Sequence, residues 1–216
     1  MENAIEKLGL YDFFGVYIPG AIITVLGIYF KLPILNPKEY IDIDAVVIAI
    51  FILEGYVIGI VLQELSSLFD KIFKIRYKAR KTFLNNNIII TNSDELKEIK
   101  VIANEILGKS VGNNIFTENN CEYVFLKCKT MLELKKMAGK AERINSLFAM
   151  SRGLTVSSML TGFILVYRMI CIPSLNYIKY FICICIITFF LYKRTKMYSK
   201  YYIRVVFRHY ISIKSL

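Results

Sequence analysis

Glu54 is the residue in this chain best placed to do chemistry. It lies near the middle of the apolar run from Ala45 to Leu62, about ten residues from either end and so roughly 15 Å deep if the run is a helix rising ~1.5 Å per residue. A carboxylate at that depth costs several kcal/mol on insertion scales, and such residues usually face a bundle interior, a water-filled cavity or a partner. The plainer alternative is an acid that hydrogen-bonds across a helix contact. Arg152 is the nearest basic side chain able to act as counter-ion, which makes Glu54 and Arg152 the candidate intramembrane polar or gating pair. Gly55 and Gly59 have small-xxx-small spacing, which lets another helix approach on the adjacent face.

Catalysis has little else to use. His209 is the sole histidine, so no histidine triad, histidine metal site or HExxH helix can be assembled. Cys183-x-Cys185 lacks the second pair that a metal site of that type needs. Phosphate-binding loops of the GxxxxGK[ST] or GxGxxG kind are absent from the sequence. One carboxylate without a base or substrate groove does not make an enzyme, so the expectation is a non-enzyme with no metal and no cofactor.

The elements that must position Glu54 are four apolar stretches: Tyr11 to Phe30, Ala45 to Leu62, Leu147 to Tyr167 and Tyr177 to Tyr192. A hydrocarbon core of about 30 Å takes roughly 17 to 25 apolar residues per helix, and each stretch is close to that once its aromatic flanks are counted. The apolar residues fall in blocks instead of recurring at an amphipathic period over the whole chain, as they would in a soluble domain. The expected fold is an all-α membrane protein with four transmembrane helices. A helical cytoplasmic layer lies between spans two and three, and a basic helix ends the chain. Residues 1–63 then form a transmembrane hairpin with spans 11–30 and 45–62. Residues 64–145 form the cytoplasmic segment, 146–192 a second hairpin with spans 147–167 and 177–192, and 193–216 a basic amphipathic tail. In the first span Pro19 removes a backbone donor and predicts a kink, with Gly20 beside it as a packing position.

Charge sets the expected topology. The net charge of +11 lies wholly in the last third, because residues 143–216 carry 11 Lys or Arg and no acid. Fourteen basic residues occur from Lys71 to Lys140 and seven after Tyr192, whereas the two short connections are nearly free of them. The positive-inside bias therefore places both termini and the central segment in the cytoplasm. The first ten residues, with Glu2, Glu6 and only Lys7, do not resemble a cleavable signal peptide, so the first span should be retained. Cys121, Cys128, Cys171, Cys183 and Cys185 are expected to be reduced packing residues.

Lys71, Lys74, Arg76, Lys78, Arg80 and Lys81 interleave with Ile72, Phe73, Ile75 and Tyr77, and suit a helix lying on anionic headgroups. In the tail Lys196, Lys200, Arg204 and Arg208 recur at i+4 and suit the same surface. The alternative use of both basic stretches is a nucleotide or nucleic-acid ligand. Between them, Leu96, Ile99, Ile102 or Ala103, and Ile106 form the apolar stripe of a helix opened by Asn92 and Glu95 and stopped near Gly108. A further helix from Thr117 or Asn120 is expected to run on into span three, with a pairing seam of Val124, Cys128, Met131, Leu134, Ala138, Ala141 and Phe148.

Three places taken together resemble a known group. They are Tyr11-Asp12-Phe13 with Pro19-Gly20, the run Glu54 to Gly59 with Gln63 and Glu64, and Phe148 with Ser151 and Arg152. The chain resembles the small four-helix membrane effectors of prokaryotic anti-phage defence, such as the membrane subunits of Kiwa-like and Hailong-like systems. That resemblance implies a homo-oligomeric protein of the prokaryotic cytoplasmic membrane, switched by a cytosolic partner protein or a nucleotide so that the bilayer leaks. The alternative is a non-conducting anchor or sensor that recruits a cytosolic defence or signalling partner.

Overall fold

A computed structural model describes residues 9, 11–29, 44–85, 93–108 and 116–214, and the regular elements among them are all helical. A π-helical turn over Asp12–Tyr17 runs directly into α1 (Ile18–Tyr29). There follow α2 (Asp44–Phe73), α3 (Ile75–Asn85), α4 (Ser93–Ile106), α5 (Glu118–Leu134), α6 (Gly139–Cys171) and α7 (Leu175–Lys214). Four helical runs, ending at Tyr29, Phe73, Cys171 and Lys214, are long and apolar enough to cross a membrane. This is a multi-pass membrane protein by length and composition, with α3 to α5 lying between the second and third candidate spans.

Two compact units make up the chain. The first comprises residues 1–72 and 146–195, the second 73–145 and 196–216. Within the first unit the outward faces are apolar: Ile52, Leu53, Val57 and Ile60 of α2, and Ile182, Ile186, Phe189 and Phe190 of α7, are exposed. Its interior instead holds Thr24, Ser66, Asp70, Ser151, Arg152, Thr155, Ser157, Ser158, Thr161 and Thr195, all buried. Water offers no gain to an apolar exterior over a hydroxyl-lined interior. Lipid does, because association between helices there rests on close packing and interhelical hydrogen bonds.

The second unit has an ordinary apolar core. Phe83 stacks on Phe207 at 5.1 Å between ring centroids, and Phe125 meets Tyr202 edge-on at 5.6 Å. Ile99, Val124, Cys128, Ile203 and Val206 fill the space around them, each at most 1% exposed. The Asn85 amide acts as a substitute backbone partner, donating to the Phe116 carbonyl at 2.9 Å and accepting from the Phe116 N–H at 2.8 Å.

Several sequence expectations change here. Residues 193–216 do not form a separate tail: α7 continues through Tyr192 to Lys214, and Tyr202, Ile203, Val205, Val206 and Phe207 are buried in the second unit's core. Those apolar positions outweigh the basic i+4 stripe that suggested a surface helix. The helix from Glu118 does not run into span three either. It ends at Leu134, and Lys136 takes a left-handed φ of 56° before α6 begins at Gly139. Thr117 caps its start, accepting from the Asn120 N–H at 3.4 Å. In the expected seam Val124 and Cys128 are buried, but Met131 and Leu134 are exposed, and Phe125 and Leu132 take the inward positions. Asn92 lies outside the described residues, while Gly108 closes α4 with φ +62°.

Candidate functional site

Pro19 has no N–H, so the carbonyl of Gly15, its i−4 acceptor in a regular helix, needs another donor. The π-helical turn before Pro19 absorbs the misfit, with the Ile18 N–H reaching back to Phe13. Gln63 on α2 supplies the donor. In the amide orientation that satisfies both ends, its Nε2 donates to the Gly15 carbonyl at 3.2 Å, while its Oε1 accepts from the Tyr11 hydroxyl and from Arg152 Nη2 at 3.2 Å. Arg152 is 3% exposed, and its remaining nitrogens are also engaged. Nε donates to Ser66 Oγ at 3.0 Å and Nη1 to Asp70 Oδ2 at 3.5 Å, and the guanidinium stands 5.5 Å from the centroid of the Phe148 ring.

Gln63, Ser66 and Asp70 recur at i, i+3 and i+7, which places them on one face of α2. Asp70 is 4% exposed. The acidic partner of Arg152 is therefore Asp70 and not Glu54, which lies twelve residues before Ser66 in the sequence, or about 18 Å along the helix. The neighbouring face of α6 forms a hydroxyl seam with α7. Ser151 Oγ lies 3.0 Å and Thr155 Oγ1 3.2 Å from Thr195 Oγ1, and Thr188 donates to Ser158 at 2.9 Å. A third face of α6 meets the proline turn, where Ser157 donates to the Pro19 carbonyl at 3.4 Å.

Helix packing brings Pro19, Gly20, Gly55 and Gly59 together. A methyl group on Gly20 would fall 2.5 Å from the Gly59 nitrogen and 2.8 Å from its Cα, closer still to the Gly55 carbonyl oxygen. One on Gly59 would fall 2.8 Å from the Val16 carbonyl carbon. Pro19 in turn sits on α6, 2.9 Å from where a Gly153 methyl would be. At Gly20 and Gly59 backbone meets backbone, so glycine is required for the contact and no side chain can move aside, whereas a Gly55 methyl would lie 3.4 Å from Ala21 at ordinary contact.

Glu54 is half-buried beside Gly55, and its Oε2 is buried without a hydrogen-bond partner. Leu53 and Tyr56, on either side, line a cavity of about 690 Å³ together with Asp12, Phe13, Tyr17 and Ile52. No family model matches this sequence, and neither a curated protein nor a solved structure is significantly similar to it.

The basic candidates divide into two sets. Arg80 pairs with Glu122 at 2.6 Å and lies 4.6 Å from the centroid of the Phe125 ring, and Lys81 pairs with Glu118 at 2.9 Å. Arg208 holds both carboxylate oxygens of Glu95, and Arg204 lies 3.9 Å from the same group. These four side chains meet carboxylates within the second unit. The Arg208 guanidinium holds the Glu95 carboxyl below its ordinary range, against the opposing effect of burial. Lys71, Lys74, Lys78 and Lys196 are exposed, and Arg76 and Lys200 half-buried.

Sequence reasoning missed Tyr11, Gln63, Ser66 and Asp70 as a set, and with them the Thr155, Ser158, Thr188 and Thr195 seam. The available signal was spacing: 63, 66 and 70 on one helix, 151, 155 and 158 on another, and 188 and 195 on a third.

Proposed function

We propose that this chain is an oligomeric, channel-like membrane effector that perturbs membrane integrity on a cytosolic trigger, as the resemblance to anti-phage membrane subunits implies. One observation carries this: Glu54, about a third of the way along α2 and within the candidate span of highest mean hydropathy, keeps a buried carboxylate oxygen without a partner, while the buried Asp70 and Arg152 satisfy each other. An acid at the edge of a bundle is costly against hydrocarbon. A second copy packed on α2 removes that cost by placing polar groups or a file of water beside Glu54. The apolar cavity at Leu53 and Tyr56 gives such a copy a seat. The path then lies between copies, because within one copy Gly20, Gly55 and Gly59 close the helices on each other.

The experiment is ion or dye leakage in induced cells, with the cognate trigger present. Glu54→Gln keeps size and hydrogen bonding and removes the charge, so it should change leakage while insertion and oligomer formation persist. Glu54→Leu removes the polar group and should abolish the path. Wild-type membranes that stay tight under the trigger refute conduction.

A second reading, a non-conducting anchor that recruits a cytosolic protein, is favoured by α5. Its exposed Tyr123, Leu126, Met131 and Leu134 leave apolar side chains on the surface of the second unit, a feature that suits a protein partner. Replacing Leu126 and Leu134 by Ser should then abolish partner capture and leave the membranes unchanged.

A further inference from the structure

α5 and its C-cap residue Lys135 expose two neighbouring rows of side chains, each at i, i+4 and i+8: Leu126, Thr130 and Leu134, and Lys127, Met131 and Lys135. Leu134 is 73% exposed and Leu126 46%, while Val124, Cys128 and Leu132 on the opposite face fill the core. We infer that the exposed face docks an acidic amphipathic helix of a partner protein. This names the partner's chemistry for the anchor reading and rests on that reading.

Charge sets the sign of the partner. Residues 127–143 hold six basic residues against two acids. Of these acids Glu133 pairs with Lys129 at 3.2 Å, and Glu142 is half-buried. Lys127, Lys135, Lys136, Lys140 and Arg143 are all exposed, and among the described residues none of them forms an ion pair. The negative end of the α5 dipole accounts for Lys135 and Lys136 at its C-terminus, but not for Lys127 two turns earlier.

The mixture on the face sets the partner's class. At about 100° per residue, Lys127 falls inside the arc that runs from Leu126 through Leu134 to Met131, so cation and apolar groups share one surface. A lipid leaflet takes lysines at the edge of an apolar face, where the ammonium reaches back to water; seating Leu134 and Met131 in it would carry Lys127 inward with them. A nucleic acid would engage the lysines and leave the leucines in water. A helix with a leucine stripe bordered by glutamates uses both, and the ~12 Å between Lys127 and Lys135 along α5 matches about two turns of such a helix.

Fluorescence anisotropy tests this on the full chain in phosphatidylcholine nanodiscs, with the signal of empty discs subtracted. The probes are three labelled helical peptides of about five turns: one with a leucine stripe bordered by Glu, one with Lys for each Glu, and one with Ser for each Leu. The Glu peptide should bind about tenfold more tightly than either control. Lys127→Glu joined with Lys135→Glu, at exposed positions where folding is not at stake, should lose that preference and favour the Lys peptide. Leu126→Ser joined with Leu134→Ser should lose the Glu peptide. If the leucine variant loses binding while the charge-reversed variant keeps it, the acidic assignment falls and the docking face of the anchor reading stands. If both variants bind as wild type does, or no peptide binds, the docking face falls as well. Tighter binding of a duplex oligonucleotide than of the Glu peptide overturns the inference in favour of nucleic acid. Shielding of Leu126→Cys from maleimide in phosphatidylglycerol discs but not in phosphatidylcholine discs, with the native cysteines replaced, overturns it in favour of the leaflet.

Discussion

Removing one member of the Arg152–Asp70 pair should be among the most damaging single changes in the first unit. Both side chains are almost fully buried, at 3% and 4% exposure, and the Nη1 to Oδ2 distance is 3.5 Å. Breaking a buried ion pair from one side strands a charge and typically costs ~3–5 kcal/mol. Asp70→Asn keeps the shape and leaves Arg152 its bonds to Ser66 and Gln63, so a cost toward the low end, about 3 kcal/mol, is expected. Arg152→Met takes the ion-pair partner from Asp70, empties the acceptors of Ser66 and Gln63, and should cost nearer ~5 kcal/mol. Joining Arg152→Met with Asp70→Leu removes both charges, and the double variant should recover a large share of the loss, giving a coupling energy of at least ~1 kcal/mol. Equilibrium unfolding in mixed micelles, followed for all four proteins, provides the cycle. Single variants within 1 kcal/mol of wild type, or strictly additive costs, would refute the reasoning.

Three further outcomes follow from the same geometry. Gly20→Ala should cost ~1–3 kcal/mol as an overpacked contact, because its methyl group would lie 2.5 Å from the Gly59 nitrogen, whereas Gly162→Ala, with its nearest neighbour at 3.7 Å, should be neutral in the same unfolding assay. Glu95 has a folded-state pKa below its unfolded value, so its contribution is present above ~4.3 and lost as pH falls through the folded value; acid unfolding of Glu95→Gln should lack that part of the wild-type decline. Burial pushes the Cys121 and Cys128 thiols up to about 11 and about 12, so maleimide at pH 7.5 should label neither until the second unit unfolds; rapid labelling of the native protein would show that its core is open.

The four spans were legible because lipid demands continuous apolar blocks, and blocks survive in a sequence without any knowledge of partners. Gly55 and Gly59 were legible for a related reason, since a spaced pair of glycines in an apolar helix has few other uses. What they pack against was not, because Gly20 becomes significant only when α1 is laid on α2. The pairing of Arg152 is not legible in the sequence, because nothing there says which helical faces meet. Its true partner is 82 residues away and sits among juxtamembrane charges that looked like ordinary flanking residues. The end of α7 carries two superposed stripes, Lys196, Lys200, Arg204 and Arg208 at i+4, and Ile203, Val206, Phe207 and Tyr210 beside them. Basic spacing alone favours a lipid surface, and only the core supplied by Phe83 and Phe125 decides for burial.

A second copy meeting α2 beside Glu54 is the claim on which the proposed function rests, and cross-linking in native membranes tests it most directly. With the five native cysteines replaced by alanine, Leu53→Cys and Val57→Cys, both at exposed positions, should give covalent dimers and higher species under a short bismaleimide, and Thr24→Cys, at a fully buried position, should give none. Monomer alone from Leu53→Cys and Val57→Cys, at protein levels where wild type is active, would contradict the claim.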